Sequence, residues 1–354
     1  MVNGSVNPLA CDLDHILSHT DRLWEEFRDR RVFITGGTGF FGTWLLEAFV
    51  WANKRLDLNV EITVLTRDPA PFKRKAPHLA SDTSILFQIG DVRDFAFAPG
   101  RFSYIIHASN EGHFDPSLAT CRFITENISR AAAHVLDFAV CCSAKRLLFT
   151  SSGTVYGPPP DDGCVSEEYG GVRDTSVPRF AHGEGKHEAE RLLVEYWKEH
   201  GIEAKIARCF SFVGPYMPLE EGYAIGNFIR DGMQEETIFV NGDGTPIRSY
   251  LYTSDLIIWL LTILIEGEPC RPYNVGSENE IDIGSLARMV NEGFGGAKKV
   301  RIARDPTPGM SPERYVPCTN RAKKELGLEQ HVSLPEAIRK TLSWYEGKGR
   351  SIST

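Results

Sequence analysis

The segment Gly36-Gly37-Thr38-Gly39-Phe40-Phe41-Gly42 constrains this 354-residue chain more than any other. It follows a short apolar run, Val32–Thr35, and opens an apolar helical run, Thr43–Ala52. Glycines there permit a tight turn and a close backbone approach to a pyrophosphate, and free N–H groups at the helix start attract the anion. The spacing reads as GxGxxG through Gly37, Gly39 and Gly42, or as GxxGxxG through Gly36, Gly39 and Gly42. A ligand-free turn can have the same composition. The strand–loop–helix order favours a dinucleotide site over that bland alternative.

The alternation continues. Glu61–Thr66, Ile85–Ile89, Tyr104–Ala108, Arg146–Ser151 and Glu203–Ala207 read as strands, and Thr125–Cys142 and His187–His200 as helices. Apolar strands alternating with helices predict an α/β fold, a doubly wound parallel (Rossmann) sheet over residues 31–208. Within residues 1–30, Leu13, Ile16, Leu17, Leu23, Trp24 and Phe27 recur at helical spacing and predict a helical extension packed on that domain. After Phe210 the segments shorten and Gly and Pro are frequent. That change predicts a smaller C-terminal substrate-binding region, 209–248 and 277–354. Tyr250–Asp255, a helix Leu256–Glu266 and Tyr273–Val275 read as returns to the main sheet near 249–276. Further helices are expected at Ile283–Asn291, Asn320–Leu326 and Leu334–Tyr345.

Charge and cysteines narrow the function. Forty-seven acids against 39 Lys plus Arg give a net charge of −8, which offers no global attraction to nucleic acid or anionic membrane. Met1–Arg30 lacks a basic segment followed by an apolar core, and Leu256–Ile265 is too short to span a bilayer. A cytoplasmic location is expected. Cys11, Cys121, Cys141, Cys142, Cys164, Cys209, Cys270 and Cys318 include no CxxC pair and no Cys/His cluster with zinc spacing. Reduced thiols and no metal are expected.

Residues after the other strands refine the cofactor. The second strand ends Leu65-Thr66-Arg67-Asp68. An acid at the strand end would bond both ribose hydroxyls and favour NAD; Thr66 stands there instead, and the Arg67 guanidinium suits a 2′-phosphate. The balance tilts toward NADP, with NAD the alternative. Gly90-Asp91-Val92 would place Asp91 on the adenine amino group, and His107-Ala108-Ser109 would lie beside the sugar–phosphate path.

Taken together, Thr35–Gly42, Gly90-Asp91-Val92, Thr150-Ser151-Ser152-Gly153-Thr154-Val155-Tyr156-Gly157, Gly183-Glu184-Gly185-Lys186, Gly214-Pro215 and Gly242–Tyr250 make residues 31–345 resemble the extended short-chain dehydrogenase/reductases, in their nucleotide-sugar epimerase/dehydratase branch. The resemblance implies a homodimer formed through two helices per subunit, and a sugar joined to a nucleoside diphosphate as substrate. It implies Gly36, Gly39, Phe40, Phe41, Gly42, Arg67, Asp91, Val92, His107, Ala108 and Lys186 around the cofactor. Ser152, with Thr154, falls at the catalytic hydroxyl position, and Asn127 matches a helix asparagine near the active site. Lys186 matches the lysine that holds the nicotinamide ribose. Arg248 and Arg314 match arginines that grip the diphosphate, and Pro215–Asn227 would line the nucleoside pocket. Turn, core and surface roles are the plain alternatives for each residue taken singly.

One departure matters. The family pattern Tyr-x-x-x-Lys here reads His182-Gly183-Glu184-Gly185-Lys186, so histidine holds the position of the catalytic tyrosine. Neutral imidazole is a competent base near neutrality. Three readings follow: a working His182, a catalytically impaired member that only binds dinucleotide, or a binding protein on the family fold. Tyr156 reads as a structural part of its turn. The triplet Ser152-Gly153-Thr154 lacks the carboxylates of the 4,6-dehydratase triplet Thr-Asp-Glu, and the glutamate that related decarboxylases keep where Thr154 stands. It is closer to the Ser-Ala-Thr of 4-epimerases. Epimerisation or reduction through a 4-keto sugar is therefore expected over dehydration. Glu111 and Asp115 are the other acids considered for elimination chemistry.

Overall fold

The computed structural model describes residues 7–109, 121–159, 163–171 and 180–351. Seven strands form one parallel sheet: β1 (Arg31–Thr35), β2 (Glu61–Thr66), β3 (Ile85–Ile89), β4 (Tyr104–His107), β5 (Arg146–Ser152), β6 (Glu203–Cys209) and β7 (Pro272–Val275). Their spatial order is β7-β6-β5-β4-β1-β2-β3. Val32, Phe33 and Ile34 are buried on both faces of the central strand, which is why these strands read as continuous apolar runs. Register runs from Val32 to Ile62 on one side and to Tyr104 on the other.

Helices cover both faces. On one lie α1 (Ala10–His19), the 3-10 turn Asp21–Phe27 and α2 (Phe40–Leu56), with α6 (Thr253–Glu266), in which every residue from Thr253 to Leu264 is buried. A helix whose run Leu256–Leu261 is apolar all round needs such a wrapped position. On the other face lie α3 (Cys121–Cys141) and α4 (Ala181–His200), packed against each other. A third apolar cluster joins α5 (Ala224–Gln234), α7 (Ile283–Gly293) and α8 (Leu334–Ser351) with the strand pair Thr237–Val240 and Lys299–Ile302. A small sheet sets Ile247–Ser249 between Glu280–Asp282 and Arg314–Tyr315. All eight cysteines are free thiols.

Helix starts differ from the sequence reading. α2 begins at Phe40 rather than Thr43, directly on the glycine loop, with Gly39 as its cap. α4 begins at Ala181 rather than His187. Gly183 and Gly185 weaken the helical pattern there, yet close packing holds both in the helix.

Candidate active site

Strand order reverses between β1 and β4, and such a switch point opens a crevice at the strands' carboxyl ends. The glycine loop after β1 and Ala108–Ser109 after β4 line it. Gly36 has φ +70°, and a Cβ there would lie 2.5 Å from the Ala108 carbonyl oxygen. A Cβ on Gly42 would meet the Gly36 oxygen at 2.2 Å. The two loops therefore touch backbone to backbone, and the turn lies flat under a large cavity of about 1060 Å³. Phe40, Phe41 and Val92 line that cavity; Gly42 shapes its floor from beneath.

Cations gather at the β2 end. Arg67 lines the cavity, and so does Lys75, whose Nζ donates to the Thr38 carbonyl at 3.1 Å and to Thr43 Oγ1 at 3.0 Å. Asp91 accepts from Nε of Arg93 at 2.7 Å and from its second terminal nitrogen at 2.9 Å, which holds its carboxyl down to about 2. Arg93 also donates to Asn127 Oδ1 at 3.0 Å. The buried Nδ2 of Asn127, on a residue lining the cavity, has no hydrogen-bond partner among the described residues. An orphaned buried amide donor, a cradle closed to side chains and local cations together fit a dinucleotide.

At the β5 end a hydroxyl chain meets the imidazole. Thr154 Oγ1 donates to Ser152 Oγ at 2.9 Å, and His182 Nδ1 lies 3.1 Å from Thr154 Oγ1. With Thr154 donating onward, Nδ1–H donates to it, so Nε2 is the basic nitrogen. Desolvation, then the charge of Lys186, lowers the His182 pKa to about 4. One helical turn away, Lys186 Nζ donates to the Thr150 carbonyl at 3.1 Å and lies over the Phe149 ring. Ser152, His182 and Lys186 line the cavity; Thr154 stands behind them. The approach of α4 rests on Gly183, where a Cβ would fall 2.1 Å from the Thr154 oxygen.

His107 does not line the cavity. It is buried beneath it, with Nδ1 2.7 Å from Thr35 Oγ1, and burial lowers its pKa to about 3. Tyr156 is buried and donates to Asn274 Oδ1 at 2.7 Å, a structural contact as its turn suggests.

On the opposite wall Arg248 lines the cavity, bound to the Glu313 carboxylate at 3.0 Å. Arg314, expected beside it, points elsewhere. In the small sheet Arg248 pairs with Tyr315, and Arg314 pairs with Ile247. Alternation along a strand sends Arg314 to the other face, where it binds the Glu280 carboxylate and the Gly163 carbonyl. Asn227 likewise does not line the cavity, and its Oδ1 accepts from Arg230 at 3.3 Å; Tyr223, Ala224 and Ile225 do line it. Glu111 and Asp115 lie outside the described residues.

Tyr315 is the residue paired with Arg248, and it stands half-buried behind the cavity rather than lining it. Its ring packs on Phe210 at 4.7 Å, and a Cβ on Gly153 would crowd its hydroxyl at 2.7 Å. Arg93, Lys75 and Tyr315 carry no motif and are found only through the fold. A second cluster, His15, His19 and His331, stands apart from the cavity and departs from the expectation of no metal-type grouping. The four-residue spacing of His15 and His19 signals two of its members; His331 is brought in by the fold.

The sequence model of the NAD dependent epimerase/dehydratase family matches residues 32–276. The chain belongs to that family. Among curated relatives of this epimerase/dehydratase, UDP-glucuronic acid decarboxylase 1 of Xenopus tropicalis is 29% identical over 323 residues, 89% of this chain and 72% of that protein. The solved structure of DesIV, a dTDP-glucose 4,6-dehydratase from Streptomyces venezuelae with NAD and TYD bound, is 25% identical with a TM-score of 0.73, covering 90% of this chain and 98% of that one. A UDP-glucuronic acid 4-epimerase from Bacillus cereus shares the fold at 18% identity, with a TM-score of 0.74 over 90% and 99% of the two chains. No helix among the described residues is long and apolar enough to cross a membrane.

Proposed function

We propose that this chain is a nicotinamide-dependent enzyme acting on a sugar joined to a nucleoside diphosphate, oxidising the carbon-four hydroxyl to a 4-keto sugar and returning the hydride, as an epimerase does; a 4-ketoreductase would run only the second half, passing hydride from the reduced cofactor to a 4-keto sugar. The observation that carries this reading is the Ser152–Thr154–His182 chain beside Lys186, facing a cavity continuous with the glycine cradle. When bound, the nicotinamide accepts and returns the hydride. Ser152 holds the substrate hydroxyl and neutral His182 takes its proton at Nε2. Lys186 orients the ribose, and its charge disfavours protonated His182. Arg248 holds the diphosphate, within a substrate region drawn from 209–248 and 277–354. Arg67 and Lys75 favour NADP over NAD. The exposed Phe123, Val140 and Trp197 on α3 and α4 suit a homodimer.

A second reading is oxidative decarboxylation of a nucleotide-linked uronic acid, favoured by the name of the Xenopus relative. It needs the same first oxidation, because a 4-keto uronic acid is a β-keto acid that loses carbon dioxide readily. A 4,6-dehydratase fits less well, since Gly153 and Thr154 supply no acid–base pair.

The test is a panel of uridine and thymidine diphosphate sugars and uronic acids, offered with NAD or NADP to wild type, Ser152→Ala, Arg67→Ala and His182→Tyr. Sugar products, carbon dioxide and cofactor reduction are read out. Carbon-four epimers or 4-keto reduction from wild type, lost in Ser152→Ala, support the first reading; carbon dioxide release moves the assignment to the second. Turnover only by His182→Tyr identifies a catalytically impaired member that binds dinucleotide. Equal NADP affinity in Arg67→Ala removes the NADP preference.

A further inference from the structure

Away from the cavity, the N-terminal helix brings imidazoles together. His15 and His19 lie four residues apart on α1 and share one helix face. His331, in the loop before α8, completes the group. Ring centroids stand 4.2 Å apart for His15–His19 and for His19–His331, and 5.3 Å apart for His15–His331. One ring nitrogen from each lies within 4.8 Å of the others.

Beneath them is Asp255, in the first turn of α6, with a side chain 0% exposed. Its Oδ2 accepts the backbone N–H groups of His331 and Val332, both at 3.0 Å. Its Oδ1 has no hydrogen-bond partner among the described residues, and neither has the buried Nε2 of His15, 3.7 Å away. At that distance the two side chains make an ion-pair contact, and the carboxylate sets a buried negative charge beside the imidazole cluster.

We propose that His15, His19 and His331 bind a divalent transition-metal ion of the zinc class. Nitrogen-rich donors of this kind suit zinc and its neighbours, and do not suit magnesium or calcium. His19 is already oriented for it. Its Nδ1 lies 2.9 Å from the His15 carbonyl and carries the proton, so the lone pair sits on Nε2. Three imidazoles make the donor set, and the buried Asp255 carboxylate beside His15 supplies a compensating negative charge. The ion joins α1 to the loop entering α8, so its role is to clamp the N-terminal extension onto the body of the protein.

The test uses the full chain without a histidine tag, stripped by chelator and dialysed. Cobalt(II) is titrated in while visible absorption reports tetrahedral coordination, and zinc then competes. His19→Gln and His331→Gln are the comparison variants; both rings are exposed, and metal-free melting confirms that the variants fold. The expected result is one equivalent of tetrahedral cobalt displaced by zinc, with binding weakened about tenfold or more in each variant. Zinc at a hundredfold excess over the wild-type Kd raises the wild-type melting midpoint by roughly 5 °C and the variants' midpoints by about half that or less. Absence of saturable binding, or equal affinity in wild type and both variants, overturns the proposal.

Discussion

At the scale of single residues, the proposed chemistry turns on position 182. Desolvation and Lys186 lower the histidine pKa to about 4, so the imidazole is neutral at physiological pH. A base must be unprotonated to work, so activity is present above the folded pKa and lost as pH falls through it. The kcat/KM profile of the enzyme is therefore expected to stay level from neutrality down to about one unit above that pKa, then fall. An acid limb near the ordinary histidine value would contradict the buried, neutral His182. Tyr315→Phe should keep the same limb on a plateau lowered by less than about tenfold, with KM little changed, because it removes a hydroxyl packed beside Gly153 without touching His182. Ser152, Asn127, His182, Lys186 and Arg248 were legible through the family resemblance, because each falls at a position the shared motifs fix. It gave no sign of Tyr315, whose approach depends on a strand 160 positions downstream and on the missing side chain at Gly153.

At the scale of elements, α4 shows why close approach can outweigh local propensity. Alanine at 183 would improve an isolated helix by about 1 kcal/mol. In this protein its Cβ would fall 2.1 Å from a backbone oxygen that cannot move aside cheaply. Gly183→Ala is therefore expected to destabilise the protein by about 2–3 kcal/mol net, measured as a lower urea midpoint at unchanged m-value. A midpoint equal to or above wild type would show that α4 does not rest on the Ser152–Tyr156 turn. The same glycines hid the first turns of α4 from sequence reading. Arg314 was misplaced for a different reason: a one-residue alternation decides which side of the small sheet a side chain takes, and no spacing motif encodes the register of a two-residue strand.

At the scale of the molecule, α3 and α4 pack on one face and still expose Phe123, Val140 and Trp197. The homodimer reading predicts that sedimentation detects a dimer in the wild type, and that Trp197→Glu shifts it toward monomer while secondary structure is retained. A monomeric wild type would remove that reading. The doubly wound sheet itself was legible, because its apolar strands alternate with helices in one direction along the chain. The contribution of α6 to the first face was visible only as an unusually apolar run.

The position of α6 and β7 also bears on how the protein is made. The first strand of the sheet is synthesised around residue 31, but its last strand ends at Val275, and the helix that seals one face ends at Glu266. An emerging chain therefore carries six strands, with α1 and α2 on one face, before the helix and the strand that complete the sheet have left the ribosome. Until then the apolar surface that α6 covers is exposed, and such surface is what holdase chaperones recognise.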